Sequence, residues 1–143
     1  MELIDTHAHY DDEAFDADRR ELLTALPQQG ISAVVNPGCT LESSRMAVAM
    51  AGEFSHVYAA VGIHPENCAD FVPEQIGILR ELARHSKVVA IGEVGLDYYW
   101  PENPAAEFQK DVLRRQMALA EELDLPVIIH DREAHADTLE IVK

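Results

Sequence analysis

Five short runs rich in Val and Ile recur along this chain, each apolar almost throughout instead of alternating with polar residues. A run of that kind is what a strand buried on both faces looks like, and it marks a parallel sheet covered by helices. The runs are Leu3 to His7, Ala33 to Pro37, Tyr58 to His64, Val88 to Val94 and Pro126 to His130. Between them, apolar residues return at helical spacing. Phe15, Leu22, Leu23 and Leu26 precede a Gln29-Gly30 stop, and Met46 and Met50 follow a Thr40 cap. Pro73 suits the first position of a third helix carrying Ile76, Leu79 and Leu82, and Phe108, Val112, Leu119 and Leu123 stripe a fourth.

Strand and helix in alternation predict an α/β fold. No repeat, low-complexity tract or Gly/Ser linker divides the chain, so residues 1–143 are expected to form a single domain. A fifth helical pattern, Ala136 to Val142, begins after the last strand, and the chain stops at Lys143 without a cap. A closed TIM-like (β/α) barrel takes eight strand-helix units and about 250 residues. The expectation is therefore an incomplete barrel with about five of the eight units. A self-contained five-stranded doubly wound sheet is the alternative.

The 26 acidic residues against 11 basic ones give a formal charge of −15, which repels an anionic polymer and argues against a non-specific nucleic-acid binder. Bound divalent ions would reverse that field inside a cleft, so a phosphate substrate stays open. No stretch reaches the roughly 18 apolar residues of a membrane helix, and Met1-Glu2-Leu3-Ile4-Asp5 lacks a signal peptide's basic start. A cytoplasmic protein without a membrane partner is expected. Cys39 and Cys68 are too few for a disulfide framework and read as structural thiols.

The chemistry sits where the apolar runs end. In Asp5-Thr6-His7-Ala8-His9 the two histidines lie two apart, so strand alternation would send both imidazoles to one face, with Asp5 on the same face to orient one of them from behind. Glu93 ends the run Val88-Val89-Ala90-Ile91-Gly92, where a carboxylate is costly unless something positive meets it. His64 and His130 close two further runs. Four of five strands thus finish in His or Glu, at the rim where barrel active sites assemble. The remaining histidines, His56, His85 and His135, lie away from strand tips and read as surface residues.

The motifs D-T-H-A-H at 5–9, G-I-H-P at 62–65, G-E-V-G-L-D-Y-Y at 92–99 and L-P-V-I-I-H-D-R-E-A at 125–134, with Phe108-Gln109 opening the fourth helix, resemble TatD-type metal-dependent hydrolases of the amidohydrolase-like barrels. That resemblance implies two divalent ions, zinc, manganese or magnesium, with His7 and His9 on one, Glu93 bridging both and His130 on the second. Glu93 and His64 would be the catalytic residues, His64 reaching the substrate phosphate, while Asp97 or Arg132 would help order the pocket. The family's C-terminal part normally adds another histidine and a late aspartate. If the chain truly ends at Lys143, weak metal binding, little catalysis and a sheet edge inviting self-association are expected.

The resemblance implies a deoxyribonuclease-type phosphodiesterase acting on DNA through metal-activated water. An amide or ester hydrolase is the rival, including removal of an amino acid from tRNA, because the same ions polarise a carbonyl. A third reading is a catalytically inactive metal-binding fragment. Tyr98, Tyr99 and Trp100 beside Glu93 could stack on a base or pack over the barrel mouth.

Overall fold

The structure, a computed structural model, describes residues 2–143, leaving only Met1 outside it. Its strands are β1 (Leu3–Asp5), β2 (Ile31–Pro37), β3 (Val57–Val61), β4 (Val88–Asp97) and β5 (Val127–Arg132). The helices are α1 (Arg19–Ala25), α2 (Leu41–Glu53), α3 (Gln75–Leu82), α4 (Ala106–Leu123) and α5 (His135–Ile141). All four strand pairings are parallel and the strand order follows the chain, β1-β2-β3-β4-β5. This is five consecutive strand-helix units of a TIM-like barrel, with every carboxyl end on one rim.

Local chemistry sets the helix ends. Thr40 caps α2 through a reciprocal box, its Oγ1 accepting from Ser43 N at 3.0 Å while Ser43 Oγ accepts from Thr40 N at 2.8 Å. Gly30 closes the 3-10 turn after α1 at φ 90°, a left-handed conformation that glycine adopts without a Cβ penalty. The third helix begins at Gln75, two residues after the expected Pro73. Val72, Pro73 and Glu74 accept from Gln75, Ile76 and Gly77 in a tighter i to i+3 turn that leads into it.

The core lies between the sheet and its helices. Leu23, Val34, Val57, Val61, Leu79, Ile91, Leu96, Leu113 and Leu119 are all buried, and each such side chain contributes roughly 1.5–3 kcal/mol on burial. Burial is uneven across the sheet: β3 and β4 are almost wholly enclosed, whereas Leu3 and Ile4 of β1 are 50% and 65% exposed. The two outer strands have one neighbour each, so an apolar run alone overstated their burial.

Two glutamines on α4 fasten the strand tips. Gln116 Oε1 accepts from Ile63 N at 2.8 Å and its Nε2 donates to Ile63 O at 3.0 Å. Gln109 does the same to Asp97, accepting from its N and donating to its O, both at 2.9 Å. Each amide supplies the pairing a further strand would give, and both side chains are buried. Among the described residues no helix is long and apolar enough to cross a membrane.

Replacing Gln116 by Ala strands a buried N–H and a buried carbonyl, so a loss of about 2–4 kcal/mol is expected. Urea unfolding followed by far-UV circular dichroism measures it; a midpoint within error of the parent would mean the clasp contributes nothing.

Candidate metal centre

The rim is built around Glu93, which lies inside β4 and not at its tip: the strand runs four residues further, to Asp97. The β4–β5 register shifts between Ile91 and Val94, and an irregularity of this kind re-aims a side chain. Glu93 N also donates to Gly38 O at 2.8 Å, which ties this point to the end of β2. Gly95 permits the close approach of β5, since a Cβ there would sit 1.9 Å from His130 O.

Each Glu93 oxygen faces its own histidines. Oε2 lies 3.0 Å from His7 Nε2 and 3.4 Å from His9 Nε2, and those two nitrogens are 3.1 Å apart. Oε1 lies 3.2 Å from His130 Nδ1 and 3.9 Å from His64 Nε2. Ligands about 2.0–2.2 Å from a cation stand about 3.0 Å apart in an octahedron and about 3.4 Å apart in a tetrahedron. The His7, His9 and Glu93 atoms span that interval, and three possible ligand atoms gathered at such distances suit a shared cation. These residues fit a divalent ion.

His7 and His9 reach this position differently from expectation. The strand stops at Asp5, and its carboxylate accepts from His7 N at 3.1 Å, bending the chain out of the ladder; Asp5 thus meets the backbone and not an imidazole. Ala8 N still donates to Val35 O at 3.1 Å, keeping the segment beside β2. His9 then meets Asp11 on its other side, with Nδ1 3.8 Å from Oδ1, and Cys39 Sγ is 4.0 Å away. Asn36 fixes Asp11 by donating to its Oδ1 at 2.8 Å.

His130 sits between two carboxylates, since its Nε2 lies 2.9 Å from Asp97 Oδ2 while Nδ1 faces Glu93. Asp97 is fully buried, and its other oxygen accepts from Tyr99 N at 3.0 Å and Asn103 Nδ2 at 3.1 Å. A carboxylate held this firmly fixes the orientation of the imidazole in front of it and keeps Nδ1 facing Glu93. His64 follows the opposite logic. Strand β3 ends at Val61, and His64 caps a 3-10 turn with Nδ1 accepting from Glu66 N at 3.2 Å. Its proton therefore sits on Nε2, a donor aimed into the cleft.

Electrostatics follow these contacts. Asp11, then Cys39 and Glu93, push the His9 imidazole up to about 12, and Glu93 followed by Asp97 raises His130. Burial and the charge of His130 lower His64 to about 4, so it stays neutral at pH 7. Burial works against ionised Glu93, but the hydrogen bonds of His130 and His9 hold it well below the usual range. The resulting cleft has a volume of about 510 Å³ and is lined by His7, His9, Asp11, Cys39, His64, Glu66, Glu93 and His130, among others.

Three sequence expectations change here. Arg132 does not touch this cluster but stacks on Tyr99 and Trp100. Cys39 lines the cleft, whereas Cys68 is buried as a structural thiol would be. His56 is half-buried against Leu23 O, at 2.9 Å, and His85 is half-buried, while His135 is exposed. Asp11 extends the His7, His9 alternation by two residues, a signal present in the sequence itself, whereas nothing local marks Gln116 or Asn103.

A family model described as "TatD related DNase" matches residues 4–143. The chain is 41% identical over 141 residues to the uncharacterized metal-dependent hydrolase YabD of Bacillus subtilis, covering 99% of this chain and 55% of that protein. It is 38% identical over 128 residues to a protein of Cronobacter sakazakii named 3'-5' ssDNA/RNA exonuclease TatD, covering 90% of this chain and 48% of that one. The crystal structure of YjjV, a TatD homologue from Escherichia coli, superposes with a TM-score of 0.88 at 34% identity, covering 96% of this chain and 54% of that one. The chain spans about half the length of the curated relatives it matches.

Without an ion, protons on His9 and His130 neutralise the carboxylates, and an ion must displace them. Metal affinity is therefore expected to rise with pH through neutrality, with proton release visible as a calorimetric enthalpy that changes with the buffer's ionisation heat; an affinity flat in pH contradicts it. Asp97→Ala should weaken metal binding about 10–100-fold in the same titration.

Proposed function

This chain belongs to the TatD-related DNase family, and on that premise we propose that the protein containing it is a metal-dependent hydrolase that cleaves phosphodiester bonds in nucleic acid. The observation that carries the reading is the division of Glu93, one oxygen toward His7 and His9 and the other toward His130. A carboxylate shared in this way suits two ions side by side. His7, His9 and Glu93 would hold one, and Glu93 and His130 the other. Divalent ions held there would lower the pKa of a water and offset charge on an attacked phosphate.

The chain's own groups then divide the work. His64 presents a neutral Nε2–H into the cleft and is placed to donate to a non-bridging phosphate oxygen, with no proton to lose at working pH. Asp97 orients His130 from behind, and Asp11 does the same for His9. Imidazoles and paired ions would also offset the acidic surface locally, which is how a chain of formal charge −15 can receive a phosphate. The name carried by the C. sakazakii relative, an exonuclease on single-stranded DNA and RNA, supports the substrate class.

The test is hydrolysis by the full-length protein of end-labelled single-stranded DNA and of bis(p-nitrophenyl) phosphate, with p-nitrophenyl acetate as the carbonyl comparison, in Mn²⁺. Chelation should abolish phosphodiester cleavage, and Glu93→Gln should lower it about 100-fold or more. Preferential turnover of the acetate, or an unaffected Glu93→Gln enzyme, would sink the phosphodiesterase reading.

A further inference from the structure

Beside the metal centre, the tips of β4 and β5 carry a second cluster that the hydrolytic reading does not use. Tyr99 and Trp100 lie two and three residues past Asp97 and are 46% and 40% exposed. Their rings meet edge to face with centroids 4.6 Å apart and an interplanar angle of 86°. Arg132, paired in register with Asp97, lays its guanidinium over them, with Cζ 4.0 Å from the Tyr99 centroid and 5.2 Å from that of Trp100. Among the described residues Arg132 makes no ion pair, although the chain holds 26 acidic side chains against 11 basic ones.

We infer that Tyr99, Trp100 and Arg132 form a stacking platform for an unpaired nucleobase of a single-stranded nucleic acid whose neighbouring phosphodiester lies at the metal centre. This rests on the phosphodiesterase reading. The placement is fixed by short links: Tyr99 N donates to Asp97 Oδ1 at 3.0 Å, Asp97 Oδ2 contacts His130, and Tyr98 N donates to Arg132 O at 2.9 Å. The platform is therefore built on the same two strand ends as Glu93 and His130.

Three considerations select this occupant. The partly exposed rings of Tyr99 and Trp100 offer flat apolar faces on which a base can stack. A strongly acidic chain repels a phosphate backbone, so a contact to the base, which carries no charge, is the favourable one available away from the ions. A planar guanidinium over an aromatic ring extends the stack and leaves its N–H groups free for a phosphate on the same strand. A duplex offers no such face, because its bases are already stacked on one another, so the platform selects single strands or frayed ends and does so with little regard to base identity.

Trp100 is the one tryptophan of these 143 residues, and the difference in emission between the full-length protein and its Trp100→Phe variant isolates the platform's signal. The full-length protein, stripped of metal by a chelator so that nothing is cleaved, is titrated with a short phosphorothioate oligothymidylate, an abasic strand of the same length and a blunt duplex. Saturable quenching by the base-bearing strand alone is expected, and Tyr99→Ala should move the midpoint about ten-fold higher, as losing about one stacked base implies. Labelled-strand anisotropy should give a similar weakening for Trp100→Ala and partial recovery for Trp100→Phe. Equal quenching by the abasic strand, no quenching, or an emission change that follows protein concentration without any strand, as a second copy covering the face would give, overturns the platform. Hydrolysis of bis(p-nitrophenyl) phosphate is scored separately, so a failed phosphodiesterase reading is not mistaken for a failed platform.

Discussion

Glu93 is a charged carboxylate with only 8% of its surface exposed, and the rim of this sheet is organised to make that tenable. Removing such a group from water costs several kcal/mol unless opposite charge or hydrogen bonds replace the lost hydration. Here the replacement is four imidazoles, contributed from the chain leaving β1, the turn after β3 and strand β5. Imidazole suits the task because it carries a proton when the site is empty and a lone pair when a cation enters. The same groups can thus satisfy the carboxylate with or without an ion.

Holding that arrangement requires stiffness behind each imidazole. Asp97 sits behind His130, itself pinned by Tyr99 and Asn103, and Asp11 sits behind His9, pinned by Asn36. Asp97 and Asn36 are buried polar groups whose partners are supplied by the chain, the condition under which such networks add specificity instead of cost. The apolar core beneath, built from β3, β4 and the inner face of α4, keeps the strand tips from shifting relative to one another.

The fold was legible in the sequence because fully apolar strands and helix-period segments alternate without ambiguity, and the matched family model and solved relative agree with five units of a TIM-like barrel. His7, His9, His64, Glu93 and His130 stood out because polar groups that end apolar runs are costly without a partner. The route to their meeting was not legible. Strand alternation suggested that the two N-terminal histidines share a face, whereas a turn made by Asp5 brings them together. Strand ends were displaced by several residues because hydrogen bonding to side chains of α2 and α4 continues or stops the ladder there. Arg132 was placed in the pocket by the family resemblance alone, whereas its guanidinium lies over the rings of Tyr99 and Trp100.

The two glutamine clasps are seven residues apart on α4, which is two helical turns, so they project from one side of a single rod. One grips the residue before His64 and the other grips Asp97, the support of His130. A helix of this length tilts or slides as a unit, so any displacement of α4 carries both strand tips with it. The spacing between the hydrogen-bond donor and the ion-facing imidazole is thereby gauged by the helix repeat, and because an amide bears no net charge, the gauge leaves the field around Glu93 to the imidazoles.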